Sequence, residues 1–314
     1  MRLFFIITIT LICIVPNKLL AQQELIDSTE IAAEMLQNNI DSTKSIANWQ
    51  FMLRISKKNL NKKFNYIDKN NVIVNMYKLH YSLDSIEFQL LDYMKIDPIH
   101  ACYDNEWHRK CSFVSYMNLH KSFYAKLDCQ CKKEWAKLDS NLINLLVVID
   151  SFDQKYRSNL ADAPWIAANK DKWIEQQHYD TYNQALLEHI FIRYGYPSYR
   201  KIGLDMEEIP FVVMLHCSLD FQEKYAPLVK AASDRDEIPK YYYAQVLDRI
   251  LMLKGKAQIY GTQLVWNNKA DVMELYQVKD MTKIDQLRKE VSLPSLKRYL
   301  KANNAIIPTP KKKK

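Results

Sequence analysis

The sequence predicts a mainly helical protein, α+β in class: a helical N-terminal region, then a multi-helix domain that carries one small β-hairpin. Three observations predict it. From Gln22 to about Ser140 there is no glycine and little proline, and apolar residues recur at helical spacing. In the second half, prolines and glycines fall where helices should start and stop. Only Gln258 to Val278 changes to a strand-like pattern, around an Asn-rich turn. Hydrophobic residues make up 48% of the 314 and charged residues 25%, enough apolar surface for a large core.

Residues 1–21 read as an export leader, with Arg2 before the apolar stretch Leu3 to Val15 and a cleavage site at Leu19, Leu20 and Ala21. That stretch is shorter than the ~20 residues needed to span a bilayer, so no membrane span is expected. A periplasmic or secreted protein follows. Residues 22–143 are expected as the helical N-terminal region, although Asn61 to Asn75 holds too few apolar residues to assign. Trp135, Leu138, Leu142, Leu145, Leu146, Ile149 and Phe152 share one face, and predict a single helix of about 25 residues.

Residues 144–303 form the second expected domain. A helix from Trp173 to Tyr194 stops at Gly195-Tyr-Pro197; Pro210 opens a helix running to Tyr225; Pro239 opens another that Gly255 ends. Two strands then flank Asn267-Asn268-Lys269, and a last helix runs from Leu293 to Ala302. All four glycines, Gly195, Gly203, Gly255 and Gly261, lie within 67 residues, and a chain this sparing with glycine is expected to keep it where positive φ or close approach demands it. Residues 304–314 read as a disordered basic tail.

The formal charge of +8 invites a nucleic-acid partner, yet the leader and the four terminal lysines carry six of those charges. A body near +2 lacks the basic surface such a partner needs, so none is expected.

The segment from about Asn144 to Asn303 resembles a family of bacterial proteins known only as a domain of unknown function. The residues that carry the likeness are Asp153-Gln154 with Arg157, Asp180 with Asn183, Tyr194-Gly195-Tyr-Pro197, Gly203, His216, Gln222, Asp248-Arg249, the run Gly255-Lys-Ala-Gln-Ile-Tyr-Gly-Thr-Gln263, and Arg288 followed by Leu293 and Tyr299. The nine-residue run is the specific part. Two places depart from the pattern: Leu215-His216-Cys217-Ser218 stands where the family tends to have Gln-His-Ala-Asp, and Ser292 stands near a usual glycine. The resemblance implies no activity and no cofactor.

Four constellations carry chemistry. His216 and Asp220, four apart on one expected helix, lie to one side of its apolar stripe, where a carboxylate would orient an imidazole as general base; a solvated or inter-helix histidine is the competing reading. Asp248 and Arg249 fall off the stripe Tyr243, Val246, Leu247, Ile250 and Leu251, and are expected to point away from the core. Arg249 or Arg157 would pair with Asp153 or Asp180 between helices, and with Asn183 the same groups would hold an acidic ligand. On the hairpin, period two puts Gln258, Tyr260 and Thr262 on one face and Ile259, Gly261 and Gln263 on the other: a binding surface, or buried amides serving the backbone. Lastly, His100, Cys102, His108, Cys111, His120, Cys129 and Cys131 fall within 32 residues. Cys129-Gln-Cys131 is too tight for a zinc pair, so two disulfides among Cys102, Cys111, Cys129 and Cys131 are expected and no metal, with Cys217 a buried free thiol.

No nucleophile elbow, phosphate loop or cofactor motif occurs. The function read from the residues is therefore a non-enzymatic module that binds a small ligand or a protein partner. The alternative is a hydrolase-type enzyme with His216 as base.

Overall fold

The computed structural model describes residues 81–111 (side chains of 105–111 excepted), 121–157 and 169–308, with a few positions between 50 and 79. The leader, the side chains of His108 and Cys111, His120 and the terminal lysines lie outside the described residues. The chain divides into two compact units, Ala21–Leu138 and the chain from Asp139 onward.

In the first unit, α1 (Leu83–Ile96) is followed directly by α2 (Pro98–Cys111), and then by α3 (Lys121–Trp135). Ile86, Leu90, Tyr93 and Met94 make one buried face of α1, and they pack with Ala101, Cys102, Tyr124, Leu127 and Cys131 into an apolar cluster. A disulfide between Cys102 and Cys131 closes α2 on α3 across 29 residues. The chain-entropy account values such a link at roughly 3–4 kcal/mol. Cys129 is exposed and free, which corrects the expectation of two disulfides. The cause is helical phase: residues two apart on a helix differ by about 200°, so turning Cys131 inward turns Cys129 out.

The single helix expected through Trp135 to Phe152 is broken. α3 ends at Trp135, and α4 (Ser140–Asp153) starts afresh because the Asp139 side chain accepts from Leu142 N and caps it. α5 (Lys170–Tyr194) ends at Gly195, whose φ of 71° no side-chain-bearing residue adopts cheaply. A short α6 (Tyr199–Ile202) leads to α7 (Ile209–His216), α8 (Leu219–Asp234) and α9 (Lys240–Leu253). Leu142, Leu146 and Ile149 of α4, Leu187 and Ile190 of α5, Val213 and Met214 of α7, Val229 of α8 and Val246 of α9 form one fully buried core. Pro239 precedes α9 and Gly255 follows it at φ 67°.

α7 and α8 were expected as one helix. Cys217 instead takes an extended conformation and Ser218 caps α8 through Phe221 N. The apolar stripe runs on across the break because the fully buried Gln222 donates to the carbonyls of Leu215 and Cys217, which the interruption would leave unpaired.

β1 (Leu264–Asn267) pairs antiparallel with β2 (Val272–Leu275), from Leu264 opposite Leu275 to Asn267 opposite Val272. The turn is built by Asn267, whose side-chain oxygen accepts from the amides of Lys269 and Ala270. The strands are shorter than expected: Gln258 makes one isolated bridge to Val278, and residues 259–263 are loop. An unexpected α10 (Ile284–Glu290) follows, α11 (Leu296–Ala302) starts three residues later than Leu293, and β3 (Ala305–Ile306) adds parallel to β2.

Candidate functional site

Asp153 is drawn inside by the helix that carries it. The buried positions of α4 are Leu142, Leu146, Ile149 and Asp153, so its last residue continues the apolar stripe with a carboxylate. α5 does the converse: Leu187 and Ile190 are apolar, while Gln176, Asp180 and Asn183 extend the same face as polar groups. The C-terminal end of α4 and the first half of α5 therefore meet through hydrogen bonds. Gln176 Nε2 donates to the carbonyls of Phe152 and Asp153 and to Asp180 Oδ1, and its Oε1 accepts from Tyr156 N. Asn183 Nδ2 donates to Ile149 O at 2.9 Å. The Gln176 bonds serve the carbonyls of Phe152 and Asp153, which the end of α4 leaves without in-helix i+4 partners.

Arg157 ties the two helices by charge. One guanidinium nitrogen donates to Asp153 Oδ1 at 3.0 Å and to Asp153 O, the other to Asp180 Oδ2 at 2.6 Å. His216 enters from the end of α7 and places Nδ1 2.7 Å from Asp153 Oδ1. Its side chain is 6% exposed. Burial pushes the imidazole pKa below its ordinary value and the Arg157 charge adds to this, outweighing the pull of Asp153. Burial alone would raise the Asp153 carboxyl, but hydrogen bonds and charge from His216, Arg157 and Gln154 hold it lower than usual. The pair at neutral pH is then a carboxylate and a neutral ring, with the shared proton on Nδ1. Among the described residues Nε2 carries no hydrogen bond.

Residues 140–307 match the model of a family described as a family of unknown function (DUF6624). The chain belongs to this family. No curated protein and no solved structure matches it. The matched span takes in the Asp153, Arg157, Asp180 and His216 cluster and the loop around Gln258 to Gln263.

Within the DUF6624 span that loop is clamped from two sides. Asp248 is fully buried, and its carboxylate accepts from the amides of Ile259, Tyr260 and Thr262 and from the Thr262 hydroxyl. Arg288, equally buried, donates to the carbonyls of Tyr260 and Gly261 and lies over the Tyr299 ring. Anion meets N–H groups and cation meets C=O groups, so the peptide dipoles of one short loop are complemented at both ends. Gln258, also fully buried, donates to Gln263 O and Tyr276 O and accepts from Gln263 N. Gly261 sits at φ 65°, where an added Cβ would touch Ile284 and Leu296 at 3.4 Å.

Three geometric expectations change here. Asp220 is exposed on α8 while His216 ends α7, so they share no helix; Asp153, 63 residues earlier in the chain, takes the place beside the imidazole. Asp248 and Arg249 point inward, because a carboxylate given four donors can be buried off the apolar stripe. Gln258, Tyr260 and Thr262 share no strand face, because 259–263 is loop. Arg249 is 8% exposed, and burial together with the Arg157 charge lowers its pKa to about 10. Arg157 does join Asp153 to Asp180 between helices. Gln176, which the sequence reading passed over, was marked only by its register with Asp180 and Asn183.

Proposed function

We propose that the protein is an exported ligand-binding module, and that its C-terminal unit holds the ligand at the open edge of His216, through a hydrogen-bond donor placed on Nε2. The observation that carries this reading is the 2.7 Å contact of His216 Nδ1 with the buried Asp153 carboxylate. It fixes the tautomer and the ring plane, leaving Nε2 as a preset acceptor. Export is supported by the buried Cys102–Cys131 disulfide, which an oxidising compartment favours, and by the leader-like residues 1–21.

The test compares the full-length protein with His216→Asn, whose amide keeps a donor toward Asp153 but has nothing at Nε2. Polyols, monosaccharides and simple amides are screened for a rise in melting temperature. Stabilisation of the natural protein that disappears in His216→Asn supports the reading; stabilisation equal in both contradicts it.

A second reading is favoured by the same contact, since a carboxylate-oriented neutral imidazole is also a general base in hydrolysis. Water would be the nucleophile: the neighbouring Cys217 thiol donates to Val213 O, and burial drives its pKa far up, out of reach of ionisation. Turnover of chromogenic esters or phosphates that His216→Asn abolishes would move the protein to this class. Turnover unchanged by that substitution would rule His216 out as the base.

A further inference from the structure

A helix on the outside of a domain ordinarily turns charge to solvent. α5 does not. Its buried face holds Gln176, Asn183, Leu187 and Ile190. On the opposite face Ile174, His178, Thr181, Ala185, His189 and Ile192 follow one another at steps of three or four residues, the spacing that keeps side chains in one row. All six are exposed, and the row holds no charged side chain over ~27 Å of helix at ~1.5 Å per residue. Ile174 is 52% exposed, and Ile192, at 72%, is the most exposed large apolar side chain among the described residues. Glu188, beside the row, is already held by Lys224 and the Tyr225 hydroxyl of α8. On the other side Tyr182 sets its ring edge-on to Phe152 of α4 at 5.7 Å, and Val148, one turn before Phe152, is exposed as well. The row is thus the crest of an apolar surface shared by two packed helices.

The order of residues along the row says what fits it. Read from either end it runs isoleucine, histidine, two small residues, histidine, isoleucine. The pairs Ile174 and Ile192, His178 and His189, and Thr181 and Ala185 all centre at or just past Asn183. A surface of that kind is complementary to itself turned end for end, which is the condition for an isologous contact between identical chains. With the row laid antiparallel on its copy, Ile174 meets Ile192 at each end and the imidazoles meet between. Thr181 and Ala185 then cross at the axis, where short side chains let two helices approach to about 8–10 Å.

We propose that the outward face of α5 is a self-association surface, on which a second copy of this chain docks antiparallel about an axis at the level of Asn183. An unrelated partner would not call for the same residues in reverse. Gln176 and Asp180, which serve the His216 cluster, lie away from this face, so the surface and the proposed ligand site are tested independently.

The experiment is sedimentation equilibrium of the full-length protein, in which the mass should rise from monomer to dimer between about 1 and 200 μM, as for an interface at the small end of the stable range. Ile192→Glu should raise the dimer Kd by about 100-fold, since the twofold places each substitution in the contact twice at about tenfold each. Ile174→Lys should do the same. Both substitutions in one chain should return the dimer to within about tenfold of the natural protein, because a lysine then faces a glutamate across each end, while within one chain the two positions are ~27 Å apart and cannot pair. Both positions are more than half exposed, and the melting temperature of dilute protein checks that each variant folds. The proposal is overturned by a monomer across the whole range, by a dimer that ignores the single substitutions, or by a double variant that stays monomeric.

Discussion

The Asp248 loop and the His216 cluster are both built from buried polar residues of the DUF6624 span, and they are finished to different degrees. In the loop the acceptors are all spent on the protein itself: Asp248 takes four donors, Arg288 serves two loop carbonyls although its buried Nη2 finds no acceptor, and Gln258 bridges Gln263 and Tyr276. In the cluster, Asp153, Arg157 and Gln176 are equally engaged, but His216 uses one nitrogen and keeps the other. The loop around Gln258 to Gln263 is therefore built as scaffold, and His216 holds a spare acceptor nitrogen. Polar clustering alone does not mark a site; the Arg288 Nη2 left over in the loop is sealed in the core, whereas the spare His216 nitrogen is an acceptor on a residue that is not fully buried.

Breaking the loop should have the largest effect. Asp248→Ala leaves three amides and a buried hydroxyl without their acceptor, and is expected to destabilise the C-terminal unit by about 3–5 kcal/mol in urea denaturation. A loss below ~1 kcal/mol would mean the clamp is not what holds the loop. Gly261→Ala forces a side chain into φ 65° against Ile284 and Leu296, and should cost about 1–2 kcal/mol by the same measurement.

The cluster should answer to pH instead. The folded pKa of His216 lies below its unfolded value, so the unfolded chain takes up the proton first. The stability linked to the neutral ring is complete above the unfolded pKa of about 6.5 and is lost as pH falls below it, with a slope of at most ~1.4 kcal/mol per pH unit. Asp153, whose pKa is also lowered, keeps its contribution through that window and loses it only in stronger acid. His216→Asn should change stability by less than ~1 kcal/mol at pH 7.5 while flattening the decline below pH 6.5; an unchanged decline would place its origin elsewhere.

The smallest effect sharpens the loop side. Ser292 sits at φ 60°, in the left-handed region that favours glycine. Ser292→Gly should stabilise by about 0.5–1 kcal/mol, read as a small rise in melting temperature.

The boundaries that backbone chemistry imposes could be read from the residues: Gly195 closes α5, Pro210 opens α7, and Pro239 and Gly255 bracket α9. Breaks made by side-chain caps could not, because Asp139 and Ser218 interrupt the helices without interrupting the apolar stripe. β3, two residues long and paired in parallel, has no periodicity to detect. The cluster was half legible. Asp153, Arg157, Asp180 and His216 were all singled out, but the partner of His216 was sought four residues away, whereas packing of α4 against α7 supplies it from 63 residues away. Helical phase also sent Asp248 outward, since periodicity counts apolar residues and is blind to a carboxylate buried by the donors it meets.

The most direct test of the distinction between spent and unspent groups is the tautomer of His216, read from its ring-nitrogen chemical shifts in the full-length protein across pH 5 to 8. The expected result is a neutral ring at pH 7, protonated at Nδ1 and bare at Nε2, with a pKa below 6.5. A ring charged at pH 7, or one carrying its proton on Nε2, would contradict the account and remove the acceptor on which the proposed function stands.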